Sequence, residues 1–318
     1  MLDASEEERP MKSVLSWLYA PVFWCGFLGA SLGLFEQLWS LPLLFLLAVM
    51  VSFLAEWGLP YEPLWNHSKA DRFRDIAHGL VNESLNALGL LVLPILALWL
   101  PFAVVWPQAW PLWLQLLLAV VIADAGITLA HYASHRLPWL WRLHAVHHSV
   151  QRMYGFNGLM KHPLHQALEA TAGLLPLWLL GIPQGVAALL AFAIAIQLLL
   201  QHSNVAMRLG PLRWIFAWAP LHRFHHMKYG KAGDVNFGLF FTLWDRLLGT
   251  AFYTQGYRIG EGDLGIGTRA DFPVGYVRQL IDPFISAPTH PAPVTPEPLQ
   301  RRVNPAVVPG SGPGREQR

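Results

Sequence analysis

At 318 residues the chain has room for one large domain or two small ones, but its composition excludes a water-soluble one. Residues AVILMFWYC make up 54% and charged residues 13%, about half the charged quarter of a soluble domain. The formal net charge of +2 offers no basic field for nucleic acid, and the single cysteine, Cys25, excludes internal disulfides, thiolate iron–sulfur clusters and cysteine-rich zinc modules.

Uncharged stretches set the predicted spans, since roughly 20 apolar residues cross a hydrocarbon core of about 30 Å. Ser13–Phe35 and Gln37–Ala55 are separated only by Glu36, which predicts a helical hairpin in which Pro21 can kink the first helix. The acidic start (Asp3, Glu6–Glu8) lacks a basic leader and a small-residue cleavage site, so it does not read as a cleavable signal peptide. Ser84–Ala123 runs 40 residues without charge, two crossings divided at Pro101, Pro107 and Pro111. Ala170–Met207 adds 38, broken at Gly181-Ile182-Pro183, and its short first limb reads as a span or a re-entrant segment.

The turns near Glu36, Pro101–Pro111 and Gly181–Gly185 contain no Lys or Arg. The other connections do: Arg9 and Lys12; Lys69, Arg72 and Arg74; Arg136, Arg142, Arg152 and Lys161; Arg208, Arg213, Arg223, Lys228 and Lys231. Positive residues stay inside, so these loops, both termini and every histidine motif are predicted to be cytoplasmic, at the inner (plasma) membrane in a bacterium. From Ala287 onward eight of the 25 prolines crowd together with few apolar residues, which predicts a disordered tail. The predicted organisation is an N-terminal cytoplasmic segment (1–12), a transmembrane hairpin and loop (13–74), a histidine-bearing region (75–255), a cytoplasmic extension (256–286) and the tail (287–318). The expected fold class is all-α: a membrane bundle of four to six transmembrane helices, with a cytoplasmic helical cap.

The histidines carry the chemistry. Of 14, eight fall into two windows: His131-x3-His135 followed by His144-x2-His147-His148, and His222-x2-His225-His226. Residues at i, i+3 and i+4 share a helix face, so each cluster points its rings one way. Asp124, Thr128, His131 and His135 form one stripe, and a ring N–H of a ligating histidine is a natural partner for Asp124 at membrane depth. Neutral imidazole suits Fe, Zn, Cu and Ni, and eight rings buried without metal would leave costly unpaired nitrogens. One divalent ion takes roughly four to six ligands, so eight or more imply two ions. A zinc hydrolase would want a catalytic carboxylate, as in His-Glu-x-x-His, and that motif does not occur. A metal transporter would place ligands near the membrane midplane, and a storage protein also competes for the reading.

The motifs Asp124-x6-His131-x3-His135, His144-x2-His147-His148 and His222-x2-His225-His226 resemble those of the fatty acid hydroxylase/sterol desaturase superfamily. So do His135-Arg136, Trp141-Arg142-Leu143-His144, His148-Ser149, Lys161-His162-Pro163-Leu164, Asp234-x-Asn236-Phe237-Gly238 and Leu243-Trp244-Asp245-Arg246-Leu247-Leu248-Gly249-Thr250. The resemblance covers roughly 75–255. It implies a membrane oxidoreductase holding two irons in a cytoplasmic cap and using O2 to hydroxylate or desaturate an aliphatic C–H bond of a fatty acyl or sterol-like lipid. By the same resemblance His202, at the end of the last span, is a further ligand or a hydrogen-bond donor behind the ligands. The family usually carries an acid where this chain has His165, which leaves His162 and His165 as ligands, gating groups or hydrogen-bonding residues. Asp124, Asp234 and Asp245 are candidate carboxylates for orienting ligand rings, and His78, in helical register with Asn82 and Asn86, is a candidate polar support. No Gly-x-Gly-x-x-Gly follows a strand and no flavin, haem or NAD site is read in the chain, so electrons are expected from a separate ferredoxin, cytochrome or reductase. Trp139, Trp141, Trp214 and Trp218 flank the clusters where an interfacial aromatic belt is expected.

Overall fold

In lipid an uncharged run satisfies its backbone only by closing its hydrogen bonds within itself, as a helix does, and the long apolar stretches do so here. The computed structural model describes residues 4–97, 105–285 and 288–303; Pro101 and the tail beyond 303 lie outside these. Among the described residues, four stretches are long and apolar enough to cross a membrane: Pro10–Gly33, Phe35–Gly58, Leu112–Arg136 and Gln184–His202. They lie in α1 (Ala4–Gly33), in α2 (Leu41–Gly58) with the turn before it, in α4 (Leu112–Arg136) and in α7 (Gln184–His202). No strand occurs among the described residues, and the chain is a helical membrane protein. α1 continues through Pro21 as one helix.

The chain reverses so that one end gathers the functional parts. The Arg208 amide donates to the Ser16 carbonyl near the start of α1, and the Ala206 amide to Leu59 just past α2. α4 and α7 end at that same level: His135 there meets His148, and His202 meets His147 and His222. α7 is the axis, buried along most of its length, whereas α2 turns Leu43, Leu46, Met50, Leu54 and Trp57 outward. α4 packs on α6 (Pro163–Leu179) at glycines: a Cβ on Gly126 would lie 2.0 Å from the Ala172 carbonyl oxygen.

Two helices start earlier than charge-free windows predict, because their charges are satisfied inside. α3 (Arg72–Ala97) begins twelve residues before Ser84. Its Asp75 accepts from Arg74 (2.8 Å), the Tyr154 hydroxyl (2.7 Å) and Asn157 (2.9 Å). α6 begins at Pro163 rather than near Ala170, because Glu169 pairs with Lys161 in the interior. A charge ends a membrane helix only when it has no buried partner.

Beyond the spans, α5 (Pro138–His148), α8 (Ala219–His225), α9 (Leu243–Leu248) and α10 (Tyr276–Ile281) build a cap over this end. Part of the segment expected to be disordered is structured. α11 (Glu297–Val303) buries Leu299 in a cluster with Trp65, Met153 and Ile259. One apolar side chain in a preformed pocket anchors a turn that composition alone reads as unordered. Trp139 and Trp214 are exposed as belt residues would be, but Trp218 is buried, stacked on Phe216 at 4.3 Å.

Candidate metal centre

The i, i+3, i+4 spacing on α4, α5 and α8 turns eight rings toward one point, and α7 brings His202 as its last residue. Nine imidazoles form two groups. One holds His131, His135, His144, His148 and His225; the other holds His147, His202, His222 and His226. Within each, one nitrogen per ring lies within 4.8 Å of the others. The structure therefore brings together all nine histidines singled out as ligands.

The outward nitrogens are fixed by the backbone. Nδ1 of His131 donates to the Phe237 carbonyl (2.9 Å), that of His225 to Val235 (2.8 Å), that of His147 to Met160 (2.8 Å) and that of His202 to Leu198 (3.2 Å). A carbonyl only accepts, so in each ring Nδ1 carries the hydrogen. Burial holds the His144, His147, His148, His222, His225 and His226 imidazoles well below the usual histidine pKa, in the neutral form. A neutral ring with its hydrogen on Nδ1 has a bare lone pair on Nε2.

Those lone pairs face each other. His131 Nε2 lies 2.9 Å from His225 Nε2, and His147 Nε2 lies 3.1 Å from His202 Nε2. Two acceptors at that distance, with no proton between them, repel unless a cation takes both. One such pair sits in each group, so the donor set fits two metal ions rather than one.

Residues 234–238 act as a second scaffold. Asp234 accepts from His135 Nδ1 (3.0 Å) and from Arg136 (3.2 Å), while the Val235 and Phe237 carbonyls hold His225 and His131. Asp245 accepts from the Phe237 and Gly238 amides (2.7 and 2.9 Å) and fixes this loop. Asp124 differs from expectation. Its partners are the amides of Leu239, Phe240 and Phe241, the Trp244 indole and the Thr128 hydroxyl, with no histidine among them. At the depth of Asp124 the 239–241 turn lies alongside α4, and its three free amides take the carboxylate.

His165 lies beside the first group, its ring 4.5 Å from that of His144, and His144, His165 and Glu169 form a third set of candidate ligand atoms. Lys161 already occupies Glu169, and Ser134 meets His165 Nε2 at 2.9 Å. His162 instead caps α6, accepting from the Leu164 amide, and its Nε2 faces the Leu280 carbonyl. His78 bonds Gln279 at 3.0 Å, and burial lowers its pKa to about 4. Sequence reading missed Glu169, a lone acid four residues after His165 in an apolar run, and with it the ion pair it makes with Lys161.

His135, His148 and His225 line a cavity of about 370 Å³, together with Arg136, Trp141, Lys228, Lys231 and Asp234. None of the second group's rings lines it.

Fold and site together define a helical membrane protein of the histidine-box class. The fatty acid hydroxylase family model matches residues 116–250. The chain is 33% identical over 292 residues to an ornithine lipid hydroxylase, OlsE, from Rhizobium tropici, covering 87% of this chain and 86% of that one. An alkylglycerol monooxygenase from Danio rerio is 31% identical over 46% of this chain, and methylsterol monooxygenase 1 from Rattus norvegicus is 32% identical over 40%. The chain spans 31% and 44% of these two relatives' lengths. No solved structure matches it. The chain belongs to the fatty acid hydroxylase family and is an oxidoreductase of that type.

Proposed function

We propose that the protein is a membrane-bound di-iron oxygenase that hydroxylates an aliphatic C–H bond of a lipid, with O2 as cosubstrate. The reading rests on the two pairs of facing imidazole lone pairs, one in each group, which call for a cation apiece. The named relatives support hydroxylation over desaturation. The overall reaction places one oxygen atom in the C–H bond and reduces the other to water, consuming two electrons and two protons. Bound ferrous ions would supply the reductive activation of O2.

This chain's residues bind and orient. His131, His135, His144, His148 and His225 would hold one iron, and His147, His202, His222 and His226 the other. The Phe237, Val235, Met160 and Leu198 carbonyls keep each Nδ1 hydrogen outward and each Nε2 lone pair inward. Asp234 fixes the tilt of His135, and Asp124 and Asp245 fix the loop behind it. Trp141, whose ring is 5.0 Å from His135 and 5.3 Å from His148, shields one side of the cavity from water. The electrons would come from a separate carrier. Arg136, Lys161, Lys228 and Lys231 all lie at the histidine end, which the positive-inside rule assigns to the cytoplasm.

Metal analysis and O2 uptake of the purified protein test the reading. Two irons per chain, with O2 consumed on reduction, is the expected result; stable zinc without O2 consumption overturns it.

A further inference from the structure

α10 and the helical turn that continues it (Asp282–Phe284) have two unlike faces. The inner face is polar and satisfied. Gln279, completely buried, accepts from His78 Nε2 on α3 (3.0 Å) and donates to the Ser149 hydroxyl (3.1 Å) and the Pro273 carbonyl (2.7 Å). Asp282 accepts from Arg269 at 2.8 Å. The outer face is apolar: Val274, Val277, Ile281, Phe284 and Ile285 are 44–64% exposed. Steps of three and four residues put them on one stripe. So short a helix does not hold by itself; the polar contacts pin it and keep the stripe turned outward.

The stripe lies where the spans end. A Cβ on Gly158 would lie 2.5 Å from the Leu198 carbonyl oxygen, so the 155–159 turn runs along the last turn of α7. Asn82 of α3 donates to the Leu159 and Lys161 carbonyls (2.9 and 3.0 Å) and so sits at that depth. His78, which holds α10, is four residues earlier on α3, only ~6 Å further out at 1.5 Å per residue. α3 itself exposes Phe73, Ile76 and Leu80 around this level and Leu88 and Leu91 deeper. α10 therefore packs on a helix whose outward side is already apolar as it enters the bilayer. Arg72 and Arg278 are exposed and make no ion pair among the described residues. A second copy seated here would bring the same two cations again, whereas anionic headgroups neutralise them.

From this juxtaposition we infer that residues 274–285, predicted to belong to a cytoplasmic extension, are an interfacial membrane anchor. The stripe enters the acyl boundary of the leaflet at the histidine end, and Arg72 and Arg278 meet its phosphates. A lipid contact of this kind does not depend on the reaction catalysed. Gln279 and Ser149 tie the anchor to the residue after His148, so the bilayer braces α5 and the rings it carries.

The single native cysteine makes the test direct. In a Cys25→Ser chain, nitroxide labels are placed singly by Val277→Cys, Ile281→Cys and Phe284→Cys, with Met50→Cys on the outward side of α2 and Gln255→Cys in the cap as lipid and water references. The full chain is reconstituted in nanodiscs containing anionic phospholipid, and collision with O2 and with a water-soluble nickel chelate is read by electron paramagnetic resonance. The three α10 labels should favour O2 as position 50 does, at a depth of about 5–10 Å below the phosphates. Nickel access equal to that at position 255 overturns the anchor. Protection from both reagents, with dipolar broadening between two chains in one disc, assigns the stripe to a second copy and also overturns it. The unsubstituted chain supplies an independent reading if a label disturbs the fold. Phospholipid carrying a diazirine near the top of its acyl chain should crosslink to the peptide containing 274–285; crosslinks confined to the spans overturn the inference.

Discussion

The two histidine groups offer the same ligand type with different access. The five-ring group meets the cavity through His135, His148 and His225, and its rings are backed by the 234–238 loop. The four-ring group is enclosed, with His202 and His226 fully buried and held by α7 and the Met160 carbonyl. One half of the centre thus meets the cavity while the other is sealed off from it. The difference lies in the elements behind the rings: a cap loop for the open half, a core helix for the closed half.

The sharpest way to break this comparison is to empty one half at a time. His225→Ala, which removes one member of the 2.9 Å facing pair, should abolish lipid hydroxylation and leave one iron per chain. His202→Ala should do the same from the enclosed side. Metal analysis checks both, and a chain that keeps two irons in either variant defeats the division into two groups.

Chelation comes next. Holoprotein treated with a membrane-impermeant chelator should lose one iron quickly and the other at least about tenfold more slowly, because the enclosed group must first open locally. Single-phase loss of both would show that the sealed half is no harder to reach.

The smallest effect is expected at Asp234. Changing it to Asn weakens the grip on His135, and outer partners of this kind are worth about 10- to 100-fold in metal affinity or activity. The loss should fall on the open half alone, seen as a lower iron content after dilution, with the second iron retained.

Much of the site was legible in the sequence, because helical spacing is a local property. His144, His147 and His148 share a face whatever surrounds them, as do His222, His225 and His226. What supports them was not legible. Asp124 sits in register with His131 and His135, so a histidine partner was the natural expectation, but the 239–241 turn that claims it is 115 residues away in the chain. The starts of α3 and α6 were masked by charges whose partners lie outside the apolar runs: Asp75 with Tyr154, 79 residues on, and Glu169 with Lys161, eight residues back across the bend before α6. Leu299 shows the converse, one side chain of a proline-rich stretch buried in a cluster with Trp65 and Met153, both far away in the chain.

Glu56, near the end of α2, stands one residue past the apolar run Gln37–Ala55. One of its oxygens accepts from the Gly155 amide at 2.6 Å and from the Asn204 amide at 3.0 Å. The Gly155 amide opens the turn carrying Gly158, where a Cβ would lie 2.9 Å from His202 Nδ1, and the Asn204 amide lies two residues past His202. The first hairpin is thus more than an anchor. It supplies the acceptor for two backbone donors packed against the ligand helix, and a shortened relative lacking α2 would need another carboxylate in that place to keep His202 aligned.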